Sequence, residues 1–202
     1  MHPIITTYSG KEVCILNIKP EDIEMEDIAR GLSNTCRFAG QLRHFYSVAQ
    51  HSVLCAELAE RLKYPKDIVL AALFHDNAES LSLDFPTPYK KNLCVSTLPD
   101  GHIISIGELE DRLDTAFNAR FGLNLDFKDS RVKFVDKVMV NTESYYLRGK
   151  KVSDKYPIMN KGIDPLPPKD AYILFTGKVN ELMYGVKRAD IRPLLLDLYY
   201  PF

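Results

Sequence analysis

The tripeptide Phe74-His75-Asp76 closes an apolar run that begins at Ile68, and Glu79 follows within one helical turn. An imidazole and a carboxylate side by side at the end of such a run both lose hydration. Each then costs about 1–3 kcal/mol unless it finds a partner. A divalent cation is a partner that accepts both residue types and also supplies chemistry, because it acidifies water and neutralises developing negative charge. The alternative is a plain C-terminal cap with Glu79 a solvated helix residue. His51 offers a second imidazole, or else a hydrogen-bonded histidine at a helix start. Asp136 shares a helical stripe with Val132, Met139 and Val140, flanked outward by Lys133 and Lys137. A buried acid there needs either a cation or an arginine.

Two further groups could serve such a site. Asp84-Phe85-Pro86-Thr87-Pro88-Tyr89-Lys90-Lys91 is stiffened by two prolines, so it would hold Asp84 and Lys90 in fixed positions or act only as a connector. Arg37 is either a surface charge or a bidentate phosphate clamp. His44 and His102 read as exposed, and His2 as terminal.

The elements that carry these residues are mostly helical. Ser47-Val48-Ala49-Gln50 has the form of a capping box and opens a helix with Val53, Leu54, Leu58, Ala59 and Leu62, so His51 falls in its first turn. Pro65 starts a helix expected to reach Leu81, apolar on nearly all sides from Ile68 to Phe74, with His75, Asp76 and Glu79 on one face. Ile106, Leu109, Leu113, Phe117 and Phe121 mark an amphipathic helix that Gly122 can end. Ser130 to Leu147 carries Asp136, and Pro168 to Gly185 is the last long helix. Asp190 to Phe202 reads as an ordered tail with apolar anchors. At the other end, Ile4 to Leu16 reads as a small hairpin about Ser9-Gly10, followed by a helical stretch from Pro20 to Asn34. The expectation is an all-α helical bundle with a small N-terminal β-hairpin, in one domain of 202 residues. Its parts would be the hairpin at 1–18, a core at 20–150, and a C-terminal helix and tail at 165–202.

Charge excludes some partners. With 26 basic and 27 acidic residues, nothing global favours a nucleic-acid polymer or a membrane surface, although a local basic pocket stays open. Cys14, Cys36, Cys55 and Cys94 form no C-x-x-C pair, and MHPIITTYSG lacks the features of a signal peptide, so a reducing cytoplasm is expected.

Taken in order, the motifs resemble a known family. Arg37-Phe38, Tyr46-Ser47-Val48-Ala49-Gln50-His51-Ser52, His75-Asp76-Asn77-Ala78-Glu79, Asp84-Phe85-Pro86-Thr87-Pro88-Tyr89-Lys90 and Asp136 are similar to the signature of the HD-domain phosphohydrolases, in their YfbR-like branch. The H-D-x-G-K run of the cyclic-dinucleotide phosphodiesterases is absent. The resemblance implies an HD-domain helical bundle with one divalent transition metal (zinc, cobalt, manganese or iron) on His51, His75, Asp76 and Asp136. A second divalent ion could be held with the substrate phosphates. It further implies that Arg37 and Lys90 hold phosphate oxygens, Glu79 and Asp84 handle the attacking water, and Phe38 meets the nucleoside.

Thr7-Tyr8-Ser9-Gly10, Asp27-Ile28-Ala29 and Leu32-Ser33 look like compact phage members of that branch, among them dATP triphosphohydrolases. The implied activity is therefore hydrolysis of dATP in the cytoplasm, that of the host if the chain is phage-encoded. A 5′-deoxynucleotidase acting on dNMPs, or a nucleotide sensor without turnover, would use the same residues. A homo-oligomer is expected, with Leu194 to Phe202 available for a subunit contact.

Overall fold

The computed structural model describes residues 4–97, 101–160 and 162–186. The expected apolar tail, Pro99 and Asp100, His2 and the side chain of His102 lie outside the described residues.

The fold is all-α with a small N-terminal hairpin, 59% helix and 7% strand. Strands β1 (Ile4–Thr6) and β2 (Glu12–Cys14) pair antiparallel, with Ile5 opposite Val13. The hairpin turn is pinned to helix α1 (Met25–Asn34), because the Ser9 amide and hydroxyl donate to the two oxygens of buried Asp27, both at 2.7 Å. The strands are shorter than expected: Ile15–Asn17 is a 3-10 turn, as is Pro20–Asp22.

Helix α2 (Val48–Arg61) starts at Ser47, whose hydroxyl accepts the Gln50 amide at 3.2 Å. Only half of the expected capping box forms. The Gln50 side chain turns away and bonds the Asp164 carbonyl and the Leu166 amide. Helix α3 (Lys66–Phe74) is the central element: Ile68 to Phe74 are all buried, and it packs on α2 and on helices α7 (Ser130–Arg148) and α8 (Pro168–Tyr184). Phe74 anchors this core, with its ring 4.8 Å from that of Phe117 and edge-on to Phe175.

The helix expected from Pro65 to Leu81 is interrupted. It ends at Phe74; a turned segment carries His75 and Asp76, and a short helix α4 (Glu79–Ser82) restarts at Glu79. The break has a local cause, since the Asn77 amide and side chain both donate to the Phe74 carbonyl, replacing the helical ladder there. Gly31 of α1 lets α4 approach closely: a Cβ at that position would stand 2.5 Å from the Ser80 carbonyl oxygen.

After α4, Leu83 adopts φ 75°, ψ 156°, a conformation nearly confined to glycine and worth about 1–3 kcal/mol of strain. The proline loop then closes into a single helical turn, α5 (Thr87–Lys90). Strands β3 (Cys94–Thr97) and β4 (His102–Ser105) pair antiparallel, a second two-stranded sheet that the sequence reading does not include. Helix α6 (Ile106–Phe121) ends at Gly122 in the left-handed region, as expected. Among the described residues no helix is long and apolar enough to cross a membrane.

Candidate metal centre

Two histidines from different elements face one another. His51 sits in the first turn of α2 and is fully buried; its Nδ1–H donates to Glu143 at 2.5 Å. His75, just past α3, donates Nδ1–H to the Ala72 carbonyl at 2.9 Å. A carbonyl and an ionised carboxylate only accept, so both Nδ1 atoms carry a proton, and each imidazole in its neutral form presents a lone pair at Nε2. Those Nε2 atoms stand 3.3 Å apart.

Carboxylates complete the ring. Asp76 Oδ2 lies 3.3 Å from His75 Nε2 and 3.7 Å from His51 Nε2. Asp136 Oδ1 lies 3.5 Å from His51 Nε2 and 3.9 Å from His75 Nε2. Four acceptors thus converge on one point, an arrangement that repels itself unless a proton or a cation sits among them. The ionisations reflect this. Burial pushes Asp76 up, but His75, His51 and Arg37 together hold it below the usual carboxylate range. Asp136 is likewise held well down against its burial, through its hydrogen bond to His51 and the charge of His75. Asp136 Oδ2 accepts from Lys137 at 3.0 Å, so this lysine folds back onto the acid instead of pointing away.

Glu143 was the residue hardest to foresee. It is fully buried on α7, two turns after Asp136, and its carboxylate is the acceptor for three donors: His51 Nδ1, the Tyr46 hydroxyl at 2.7 Å and Arg37 Nε at 3.3 Å. Burial raises its pKa, yet His51 and Arg37 hold it low, so it is ionised. Its seven-residue spacing from Asp136 was the available signal. Arg37 bridges inward as well, with Nη1 3.3 Å from Asp76 Oδ2.

Cys55 adds a third ligand type one helical turn after His51. His51, Cys55 and His75 offer ligand atoms within 4.8 Å of one another and could hold a metal ion. Cys55 Sγ, however, lies 3.5 Å from His51 Nε2 and 4.0 Å from Nδ1, so it faces the ring and is off the Nε2 lone-pair axis. Burial pushes its thiol up to about 11.

Glu79 is 3% exposed; its Oε1 accepts from Lys90 at 2.7 Å, while its Oε2 has no hydrogen-bond partner among the described residues. Burial, with Asp76 and Asp84 nearby, pushes its pKa well above the usual range. Asp84 is half-buried and is raised by the same two causes, burial and Asp76, against the pull of Arg37. Lys90 also meets Glu110 at 2.8 Å, a carboxylate not anticipated from sequence. Phe38 is half-buried beside Arg37 and stands in the left-handed region, φ 55°, as does Ala39. His44 is exposed in its loop, as expected.

No protein-family model matches the sequence. Among solved structures, a conserved hypothetical protein from Pyrococcus furiosus aligns with a TM-score of 0.43 at 20% identity, covering 78% of this chain and 96% of that one. An Escherichia coli K12 protein named "Uncharacterized protein YfdR" is 36% identical over 185 residues, 88% of this chain and 94% of its own. The Rhodobacter capsulatus protein RCAP_rcc00048 is 32% identical over 192 residues, 87% and 93% of the two chains. Likeness at this level over nearly the whole of each chain shows common descent, and the chain belongs to the family of YfdR.

Proposed function

We propose that the protein is a metal-dependent nucleotide phosphohydrolase of the HD type. The observation that carries this reading is the convergence of His51 Nε2, His75 Nε2, Asp76 Oδ2 and Asp136 Oδ1 at 3.3–3.9 Å, with each imidazole locked by an Nδ1 hydrogen bond. Ligand atoms about 2.0–2.2 Å from one tetrahedral ion stand roughly 3.3–3.6 Å apart, so the four suit a first-row divalent ion with little rearrangement. His51, His75, Asp76 and Asp136 would hold it, and Glu143 would orient His51 as an outer partner. Imidazole and carboxylate donors suit zinc, manganese, cobalt and iron. A cation bound there would neutralise phosphoryl charge and acidify a water.

The chain's own groups supply positioning and proton handling. Arg37, with donors left over after Asp76 and Glu143, binds phosphate oxygens. Lys90 fixes Glu79 through Oε1, leaving Oε2 to take or return the proton of the attacking water. Asp84 orients that water. Phosphoryl transfer needs little beyond such placement and charge neutralisation. The substrate that the sequence resemblance implies is a deoxyadenosine nucleotide, dATP before others. A specific observation favours 5′-deoxynucleotidase action as the second reading: two carboxylates hold Lys90 tightly, at 2.7 and 2.8 Å, whereas Arg37 meets Asp76 and Glu143 at 3.3 Å each, so Arg37 has the looser engagement and the spare donors to meet a single phosphate.

The test combines metal analysis with a chromatographic screen of dNTPs and dNMPs. Asp76→Ala is expected to lose stoichiometric metal and turnover, and Cys55→Ala to keep both. Metal retained in Asp76→Ala, or lost in Cys55→Ala, would transfer the site to the His51–Cys55–His75 group. A metal-loaded protein that binds nucleotide without releasing phosphate would be a sensor.

A further inference from the structure

A cavity of about 830 Å³ opens between the Gly40–His44 turn and the C-terminal end of α7, within the size range of small-molecule sites. Its basic side chains are Arg43, His44 and Arg148, and no Asp or Glu is among the described residues that line it. Among the described residues, neither arginine has a carboxylate within ion-pair distance, although the chain as a whole carries a net charge of −1. Asp164, between lining residues Ile163 and Pro165, borders a separate, smaller cavity instead. Unpaired cations in a concavity focus potential outward and concentrate anions, and the guanidinium fork matches phosphate oxygens.

The cavity adjoins the metal centre through one side chain. Arg148 stands 5.5 Å from the centroid of the Phe38 ring and Arg37 stands 5.8 Å from it, so Phe38 neighbours both the guanidinium that contacts Asp76 and one that lines the cavity. Three successive left-handed residues, Phe38, Ala39 and Gly40, make the turn that sets this arrangement. Strained backbone of this kind, away from any core demand, is found at ligand clamps.

We infer that the Arg43–His44–Arg148 cavity seats a second phosphate of the same nucleotide whose scissile phosphate meets Arg37. This rests on the phosphohydrolase reading of the metal centre. The second phosphate has one chemistry and two sources: the distal group of a 5′-polyphosphate, or a 3′-phosphate.

Titration calorimetry in the presence of chelator, where no turnover occurs, compares dAMP, dATP and deoxyadenosine 3′,5′-bisphosphate on three proteins. These are the natural chain, the double variant Arg43→Gln/Arg148→Gln, and Lys133→Gln as an exposed charge control on α7. The natural chain is expected to bind dATP or the bisphosphate about 10-fold or more tighter than dAMP, the size of one charge-assisted contact, and whichever it prefers names the source. The double variant loses that preference while keeping its thermal midpoint, since both arginines are exposed. Lys133→Gln retains it. Equal affinity for all three nucleotides in the natural chain, or a preference surviving in the double variant, overturns the proposal. Phosphate release by the metal-loaded protein is read separately. A preference that depends on Arg43 and Arg148 without any release would refute the hydrolase reading and leave the anion site intact.

Discussion

Replacing Glu143 with glutamine keeps the shape of the side chain and changes only its bonding capacity. The native carboxylate accepts from His51 and Tyr46 at Oε1 and from Arg37 at Oε2. Glutamine has one accepting oxygen and one donating amide. With the oxygen placed toward His51 and Tyr46, the amide faces Arg37 Nε, donor against donor; the opposite flip sets it against two donors. At least one buried donor is therefore stranded in either orientation, and the charge that compensates Arg37 and holds His51 is gone. Breaking a buried ionic network at one member costs about 3–5 kcal/mol, and the remaining contact from Arg37 to Asp76 argues for the lower end, about 3. With a urea m-value of about 2 kcal/mol/M, the midpoint should fall by about 1.5 M. Loss of the outer partner of a ligating histidine should also weaken metal binding about 10–100-fold, read by competition with a chromogenic chelator. A double-mutant cycle with Arg37→Met should recover part of the stability loss, because the stranded donor is then absent. A midpoint within about 0.5 M of the natural protein would refute this account of Glu143.

Asp114 predicts a pH dependence. Burial first, with Asp111, Glu110 and Asp76 adding to it, raises its pKa to about 7 despite the hydrogen bond from Asn77. The folded chain then holds a proton that the unfolded chain releases, so this group's contribution to stability is lost as pH rises from the ordinary carboxylate range, about 4, through about 7. Asp114→Asn keeps the acceptor for Asn77. It should stabilise by about 1–3 kcal/mol at pH 8 and by nothing near pH 4, in urea midpoints taken at both pH values. Gly31→Ala should drive α4 away from α1, lowering stability by about 1–3 kcal/mol and disturbing Glu79, measured by unfolding and turnover together. Leu83→Gly should raise stability by about 1 kcal/mol, because the exposed leucine holds a glycine conformation; an unchanged or lower urea midpoint would count against strain at that residue.

The long helices were legible because each carries both a pattern and a punctuation mark: Ser47 caps α2, Gly122 ends α6, and the Val132, Val135, Met139 stripe orients α7. The break after Phe74 was not legible, since Asn77 acts through a backbone carbonyl that no spacing rule reports. Glu79 reaches the centre all the same, carried by Gly31 and Ser80 instead of by helical periodicity. Arg37, Asp76 and Asp136 were read as single residues with a bland alternative each. Their contacts with His51 and Glu143 depend on three elements far apart in sequence. Tyr46, Cys55, Glu110 and Glu143 carry no role at the site in the sequence reading, because residue type alone does not separate them from core or surface positions.

Among the described residues from Gly149 to Pro167 there is no helix or strand, yet their backbone is not left to solvent. Buried Asn141 and Thr142 of α7 serve the backbone of Val152, Ser153, Tyr156 and Met159, and buried Gln50 of α2 serves Asp164 and Leu166. The same two helices present His51, Asp136 and Glu143 to the centre. This connector therefore cannot open by itself: freeing it strands polar groups inside the bundle next to the ligand-bearing turns. Through these hydrogen bonds its ordering is tied to that of the candidate centre, so a lesion in this plain-looking stretch is expected to register as a loss of the site.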